Sequence, residues 1–199
     1  MKKLFQIFCV FCSVISVISL ISCAGRNDPS GSAEARPAVN SITDHFAARD
    51  FAEWAVTGSE LDQILYAGIR APSAGNRQPW HFTVVQNEDL ARQLVPQTTQ
   101  GNVLIVVSAA GDGLTNGPVI LDSALAINSI YLAAQALGLG SRIYTNYVAN
   151  INRSYKTQLG LAEEQNVIAV IRIGRLPAGT DATSSASPRY SADQMVTYR

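Results

Sequence analysis

The chain has 199 residues, 15% of them charged and 47% hydrophobic, which suits one domain with its own core and excludes a disordered chain. Fifteen bases balance fifteen acids, so no global field draws the protein to nucleic acid or to an anionic membrane surface. All three cysteines, Cys9, Cys12 and Cys23, fall in the first 23 residues, so the rest of the chain has no disulfide, thiolate metal site or cysteine nucleophile.

The chain opens with the basic run Met1-Lys2-Lys3, followed by an uncharged, mostly apolar stretch from Leu4 to Ile21. Basic, apolar and small-residue segments in that order read as a secretory signal. Leu20-Ile21-Ser22-Cys23 resembles the lipobox of bacterial lipoproteins. That resemblance implies cleavage after residue 22 and lipidation of Cys23, leaving an exported, membrane-anchored protein of a bacterial cell envelope. The alternative is an uncleaved signal anchor, because the apolar run is nearly long enough to span a bilayer. Residues 23–40, with Gly25, Pro29, Gly31 and Pro37, read as a flexible tether. Losing Lys2 and Lys3 with the leader leaves 13 bases against 15 acids, and Lys156 is then the sole lysine.

Residues 41–199 are expected to form one compact domain. Ser41 to Arg49 reads as a short amphipathic helix with Ile42 and Phe46 on one side. Thr57 and Glu60 have capping-box spacing and open a helix carrying Leu61, Ile64, Leu65 and Ile69, which Ala71-Pro72 ends. Strands are expected at Trp80 to Val85, Val103 to Ala109, Arg142 to Thr145 and Asn166 to Gly174. The second lacks alternation, as a strand buried on both faces does. Brief helices are expected at Asp89 to Leu94 and Asn152 to Leu159. The longest helix is expected at Asp122 to Leu137. It is apolar nearly all round, hence buried on all sides, and closed by Gly138 and Gly140. Thr180 to Pro188 reads as a polar loop before a tail. Helices and strands mix without regular βαβ alternation, which favours α+β. So apolar a helix in so small a domain suggests that a second subunit helps to cover it.

The strongest local signal is Ala71-Pro72-Ser73-Ala74-Gly75-Asn76-Arg77-Gln78-Pro79-Trp80-His81-Phe82. Its small residues let backbone amides approach a ligand, and Asn76 and Gln78 offer donor and acceptor pairs to a flat heteroaromatic ring. The same stretch reads equally well as a polar turn beside a packed tryptophan.

This stretch resembles the proline-serine-alanine, asparagine, glutamine-proline-tryptophan signature of the nitroreductase family. Asp122, Ala126, Asn128, Leu132, Ala133, Ala134, Gly138, Leu139 and Gly140 resemble its core helix and the turn after it. Ile173-Gly174 and Pro188-Arg189 follow in the family order. The resemblance implies an α+β, nitroreductase-like fold. Its central sheet is mixed but mainly antiparallel and flanked by helices, with a buried core helix at a homodimer interface. It also implies FMN as cofactor and a two-electron reduction of nitroaromatic, quinone-like or similar flat acceptors.

By that likeness Pro72, Ser73, Ala74, Asn76 and Gln78 line the flavin. The backbone of Ile143, Tyr144 and Thr145 faces it, and Arg189 binds the phosphate with its bidentate fork. Arg49 matches a second basic position; a cation there would stabilise negative charge at the N1/O2 edge of the ring and raise its potential. The family's arginine-arginine-serine run is replaced by His45-Phe46-Ala47. One phosphate arginine and one hydroxyl are therefore missing; His45 either substitutes for the arginine or is an ordinary surface histidine. Gly111 to Val119 is shorter than the excursion that often covers the family's active site, which implies an open pocket. The family donor is NAD(P)H, a cytoplasmic metabolite; an exported enzyme needs a membrane redox donor instead. The incomplete phosphate pattern motivates a second reading, an exported flavin- or ligand-binding lipoprotein without turnover.

Other chemistry has less support. Gly138-Leu139-Gly140 follows a helix, whereas a dinucleotide fingerprint follows a strand. His45 and His81 lack ligand spacing for a metal. Ser73 has no telling histidine and carboxylate for hydrolase chemistry.

Overall fold

Four antiparallel strands carry the fold: β1 (Trp80–Val85), β2 (Val103–Ala110), β3 (Leu139–Tyr144) and β4 (Gln165–Arg175), in the order β1-β2-β4-β3. The computed structural model describes residues 42–111, 117–180 and 188–199. The segments expected to be a signal (1–22) and a tether (23–40, with Cys23), and most of the loop expected at Thr180 to Pro188, lie outside the described residues. All three strand pairings are antiparallel, and no parallel pair joins the sheet among the described residues.

β2 and β4 are central, and both faces of each are covered. Val103, Ile105 and Val107 join one core with Ile171 and Ile173; Leu104 and Val106 join another with Val167 and Val170. Their unbroken apolar runs are the direct consequence. α1 (Gly58–Ile69) and α3 (Gly117–Ala136) pack on the first face through Leu61, Ile64, Ile127 and Ile130. α2 (Glu88–Leu94) and α4 (Val148–Ser154) pack on the second through Ala91, Leu94, Val148 and Ile151. A short α5 (Ala192–Met195) lies in the exposed C-terminal segment.

The capping box forms as its spacing predicts. Thr57 Oγ1 accepts from the Glu60 N–H at 3.3 Å, and Glu60 Oε2 accepts from the Thr57 N–H at 2.9 Å. The same carboxylate pairs with Arg175 on β4 at 2.8 Å, which fastens the start of α1 to the sheet.

Several boundaries differ from the sequence reading. Ser41 to Arg49 does not form a helix: helical residues stop at Thr43, and residues 45–51 are irregular. Sheet bonding and burial outweigh the short helical pattern. The Ala48 N–H donates to Ser141 O on β3, and Ala52 bridges Arg175. Phe46, Ala48 and Phe51 bury together, whereas Ile42 stays exposed. α3 starts five residues before the expected Asp122. It is not buried on all sides: Asp122, Ser123, Ala126, Ile130 and Ala134 are, but Leu121 and Leu125 are 63% and 38% exposed. It is long and apolar enough to cross a membrane, yet its inner side packs into the core. Gly138 ends it with φ of 74°, while Gly140 is already inside β3. The helix expected at Asn152 to Leu159 sits four residues earlier, because Asn152 is taken up by the sheet. Its side chain donates to and accepts from the backbone of Val167 at 3.0 and 2.7 Å.

Candidate functional site

Two groups of the predicted residues meet on α3, from opposite sides. The first is the loop between α1 and β1. Ala74–Asn76 is a single 3-10 turn in which Gly75, Asn76 and then Gln78 take φ of 59°, 55° and 45°. Glycine adopts that region freely and asparagine tolerates it; a glutamine there needs the surroundings to hold it. They do. Ser73 Oγ accepts from the Gln78 N–H at 3.0 Å, and Arg77 Nε donates to Ala74 O at 3.1 Å. Gln78 Nε2 donates to Asn76 Oδ1 at 3.1 Å, which locks the two amides together.

Asp122 ties this loop to α3. Its Oδ1 accepts from the Ala74 N–H at 3.0 Å, and Arg77 stands 3.6 Å from Oδ2. The carboxylate is 3% exposed, and Oδ2 has no hydrogen-bond partner. With the backbone fixed from beneath, Pro72, Ala74, Asn76 and Gln78 remain exposed above it. A space of about 390 Å³ adjoins the loop, lined by Gln78, Trp80, Phe82 and Leu65 among others.

The second group lies on the other side of α3. At about 100° per residue, Ala124, Asn128, Tyr131 and Gln135 form one stripe, opposite Asp122. Its first half lines a cavity of about 430 Å³ with Ile120, Ile127, Ile143, Thr145 and Ile168. Ile143 and Thr145, expected to face a ring, are both here; Tyr144 between them is buried in the other core. Farther along the stripe, His45 meets Tyr131 edge to face, with ring centroids 5.5 Å apart at 87°. The His45 Nδ1 bonds to Ile42 O, a pure acceptor, so Nδ1 carries the proton. Burial raises the Tyr131 hydroxyl above its ordinary value, while a hydrogen bond from Gln135 and the charge of Arg189 oppose the shift. His45 thus contacts the tyrosine whose hydroxyl feels the charge of Arg189. Arg49 is exposed, next to the buried Ala48. No group of three or more potential metal ligands occurs among the described residues.

Sequence reasoning gave no role to Asp122, Tyr131 or the polar chain beneath it. Gln135 accepts from the Phe46 N–H at 3.0 Å and donates to Ser141 Oγ at 2.9 Å; Ser141 donates to Tyr131 O. The available signal was a carboxylate and a glutamine in a mostly apolar helix, since buried polar groups require partners. Buried Arg172, also unremarked in the sequence, is structural. It donates to Asn102 Oδ1 at 2.6 Å and stacks on Phe51 at 4.0 Å, and burial lowers its pKa.

Sheet, core helix and loop define a nitroreductase-like α+β fold. A solved nitroreductase with bound FMN from Bacteroides fragilis superposes with a TM-score of 0.67 at 22% identity, over 82% of this chain and 99% of that one. An FMN-dependent nitroreductase from Clostridium difficile gives 0.66 at 23% identity, over 80% and 98%. At the level of sequence, residues 42–111 match the model of the Nitroreductase family. A protein of Archaeoglobus fulgidus named "Putative NADH dehydrogenase/NAD(P)H nitroreductase" is 29% identical over 156 residues, 74% of this chain and 89% of that protein.

Proposed function

We propose that the chain is an FMN-dependent oxidoreductase of the nitroreductase type, a homodimer exported as a lipoprotein anchored through Cys23. The observation that carries the cofactor reading is the loop Pro72–Gln78, whose exposed amides sit in left-handed conformations on a backbone that a buried carboxylate ties to α3. The second group fits the same cofactor. The cavity beside Ile143 and Thr145 is within the roughly 300–1,000 Å³ of small-molecule sites. It is apolar, with Asn128 and Thr145 at hand for the polar edge of a ring. His45 stands farther along the stripe against Tyr131, whose hydroxyl also feels the charge of Arg189, and both bases suit a phosphate.

One protomer does not bring the two groups together, since they flank opposite sides of α3. The exposed Leu121 and Leu125 lie on the helix surface between them. A twofold contact through that stripe would cover both leucines and carry the loop of one copy toward the cavity of the other, which supports the dimer.

FMN, when bound, supplies the two-electron redox chemistry. The chain's own part is binding, orientation and charge. Asn76 and Gln78 hold the ring edge, Arg189 and His45 hold the phosphate, and Arg49 places a cation near the N1/O2 edge. The short Gly111 to Val119 segment would leave one ring face to flat acceptors such as nitroaromatics or quinones. NAD(P)H is the donor of the family; in an envelope location a membrane redox partner takes its place.

The test is anaerobic titration of the FMN-loaded full-length chain with NADH, NADPH and a quinol, followed by a nitroaromatic or a quinone. Loss of the oxidised-flavin absorption with one donor, and its recovery with an acceptor, supports turnover. Stable flavin binding with no reduction by any donor leaves the flavin-binding lipoprotein in its place.

A further inference from the structure

We propose that Phe51 is the positioning residue for Arg49: its ring locks the register of residues 48–52 against the sheet, so that a cation, and not the neighbouring Asp50, is presented to the flavin. The proposal rests on the flavin reading above and names what fixes the cation in that site.

Residues 45–51 form neither helix nor strand, so their register depends on what they dock against. Two backbone bonds flank Arg49. The Ala48 N–H donates to Ser141 O at 3.1 Å, and the Ala52 N–H donates to Arg175 O at 2.9 Å. Between them Phe51 is buried, while Arg49 and Asp50 are exposed.

Phe51 enters a socket shaped for a flat ring. Gly140 on β3 and Gly174 on β4 stand directly opposite each other in the sheet. A Cβ at Gly140 would lie 3.0 Å from Phe51 Cε1, and one at Gly174 would lie 2.9 Å from Cδ1. Glycine inside a strand weakens it and marks a close approach; here the approach is that of the ring. The Arg172 guanidinium stacks on the same ring at 4.0 Å. It is itself held by Asn102 Oδ1 at 2.6 Å and Thr99 Oγ1 at 3.2 Å. Two bare backbones and a fixed guanidinium thus accept Phe51 and leave room for no other residue of the segment to take its place.

The docked segment runs close to the cavity. Ser141, which receives the Ala48 bond, is two residues before Ile143 of the cavity wall. That is about 7 Å along the strand, a distance that an arginine side chain spans. A slip of one residue would exchange Arg49 for Asp50 and reverse the sign of the charge there. A group that stabilises negative charge on a reduced ring would become one that opposes it.

The test is a double-variant cycle on FMN affinity of the full-length chain, read by quenching of flavin fluorescence, with hydrogen exchange of residues 46–52 beside it. Phe51→Leu keeps an apolar side chain but not the flat ring. It should quicken exchange in the segment and weaken FMN about tenfold, the loss of one charge-assisted contact. Arg49→Ala should cost the same, and the two together no more than either alone, because both remove one contact. If Phe51→Leu fails to fold, Arg172→Met repeats the cycle; it uncovers the ring but leaves Asn102 Oδ1 its bonds from Thr99. Fully additive losses, the mark of a phenylalanine that only packs, would overturn the proposal. So would an FMN affinity unchanged by either single change, and in each of these cases the flavin reading stands. A wild-type chain that binds no FMN would overturn both.

Discussion

Asp122→Ala separates what holds the loop from what holds the fold. The carboxylate is almost wholly buried, and its charge-assisted bond from the Ala74 N–H contributes about 1.5–3 kcal/mol. Its contact with Arg77 adds little, under ~1 kcal/mol, because that side chain is 55% exposed. Against these stands the burial of Oδ2 without a hydrogen-bond partner, a cost of about 1–3 kcal/mol that truncation removes. The terms nearly cancel, so global stability should shift by no more than ~1–2 kcal/mol, a few degrees in Tm for a domain of this size. The loop gains nothing from that cancellation. It loses its tie to α3 while still holding Asn76 and Gln78 in left-handed conformations. Amide exchange across Ala74–Gln78 should therefore quicken by roughly 10–150-fold, and FMN affinity should fall in step. Asp122→Asn keeps one acceptor but turns an amide toward Arg77, and should fall between. Hydrogen exchange read by mass spectrometry, beside a thermal melt, decides the matter. Unchanged protection in the loop of Asp122→Ala would refute the reasoning and show that the bonds from Gln78 and Arg77 suffice.

Gly174→Ala drives a Cβ into Asn102 Nδ2 and puts it 2.9 Å from Phe51. Overpacking there should cost about 1–3 kcal/mol, seen as a lower Tm, with the Arg172–Asn102 bond disturbed as well. Leu125→Glu, alone or with Leu121→Glu, should turn the proposed homodimer into a monomer in light scattering; a dimer that survives both changes contradicts the α3 interface. Glu60 carries a carboxyl held below its ordinary 4.5, chiefly by the Thr57 N–H. A depressed carboxyl stabilises the fold above that ordinary value and ceases to do so as pH falls through its folded one. Glu60→Gln should therefore be less stable at neutral pH and show a shallower loss of stability in acid, measured by denaturant melts across pH.

The elements with a single dominant cause were legible in the sequence. The Thr57/Glu60 box set the start of α1, and the apolar runs of β2 and β4 marked central strands before any partner was known. Residues 45–49 were misread because Phe46 fits a helical and an extended pattern alike. Only the hydrogen bonds of Ala48 and Ala52 to the sheet separate the two, and those partners lie far away in sequence. The candidate site divided the same way. Asn76, Gln78 and the backbone near Ile143 were marked by motif, whereas Asp122 and Tyr131 act through contacts across the fold. A carboxylate in the first turns of an apolar helix signals a buried partner, but not which one. The exposure of Leu121 and Leu125 was likewise hidden, since an apolar helix face reads alike whether its own core or a second copy covers it.

The central claim is that this chain holds FMN, and the most direct measurement is the visible absorption spectrum of the purified full-length protein in detergent, as isolated and after FMN is added and the excess removed. The account predicts oxidised-flavin bands that stay with the protein in a ratio of one FMN per chain and that acid precipitation releases as FMN. A colourless protein that retains no FMN after loading would contradict it.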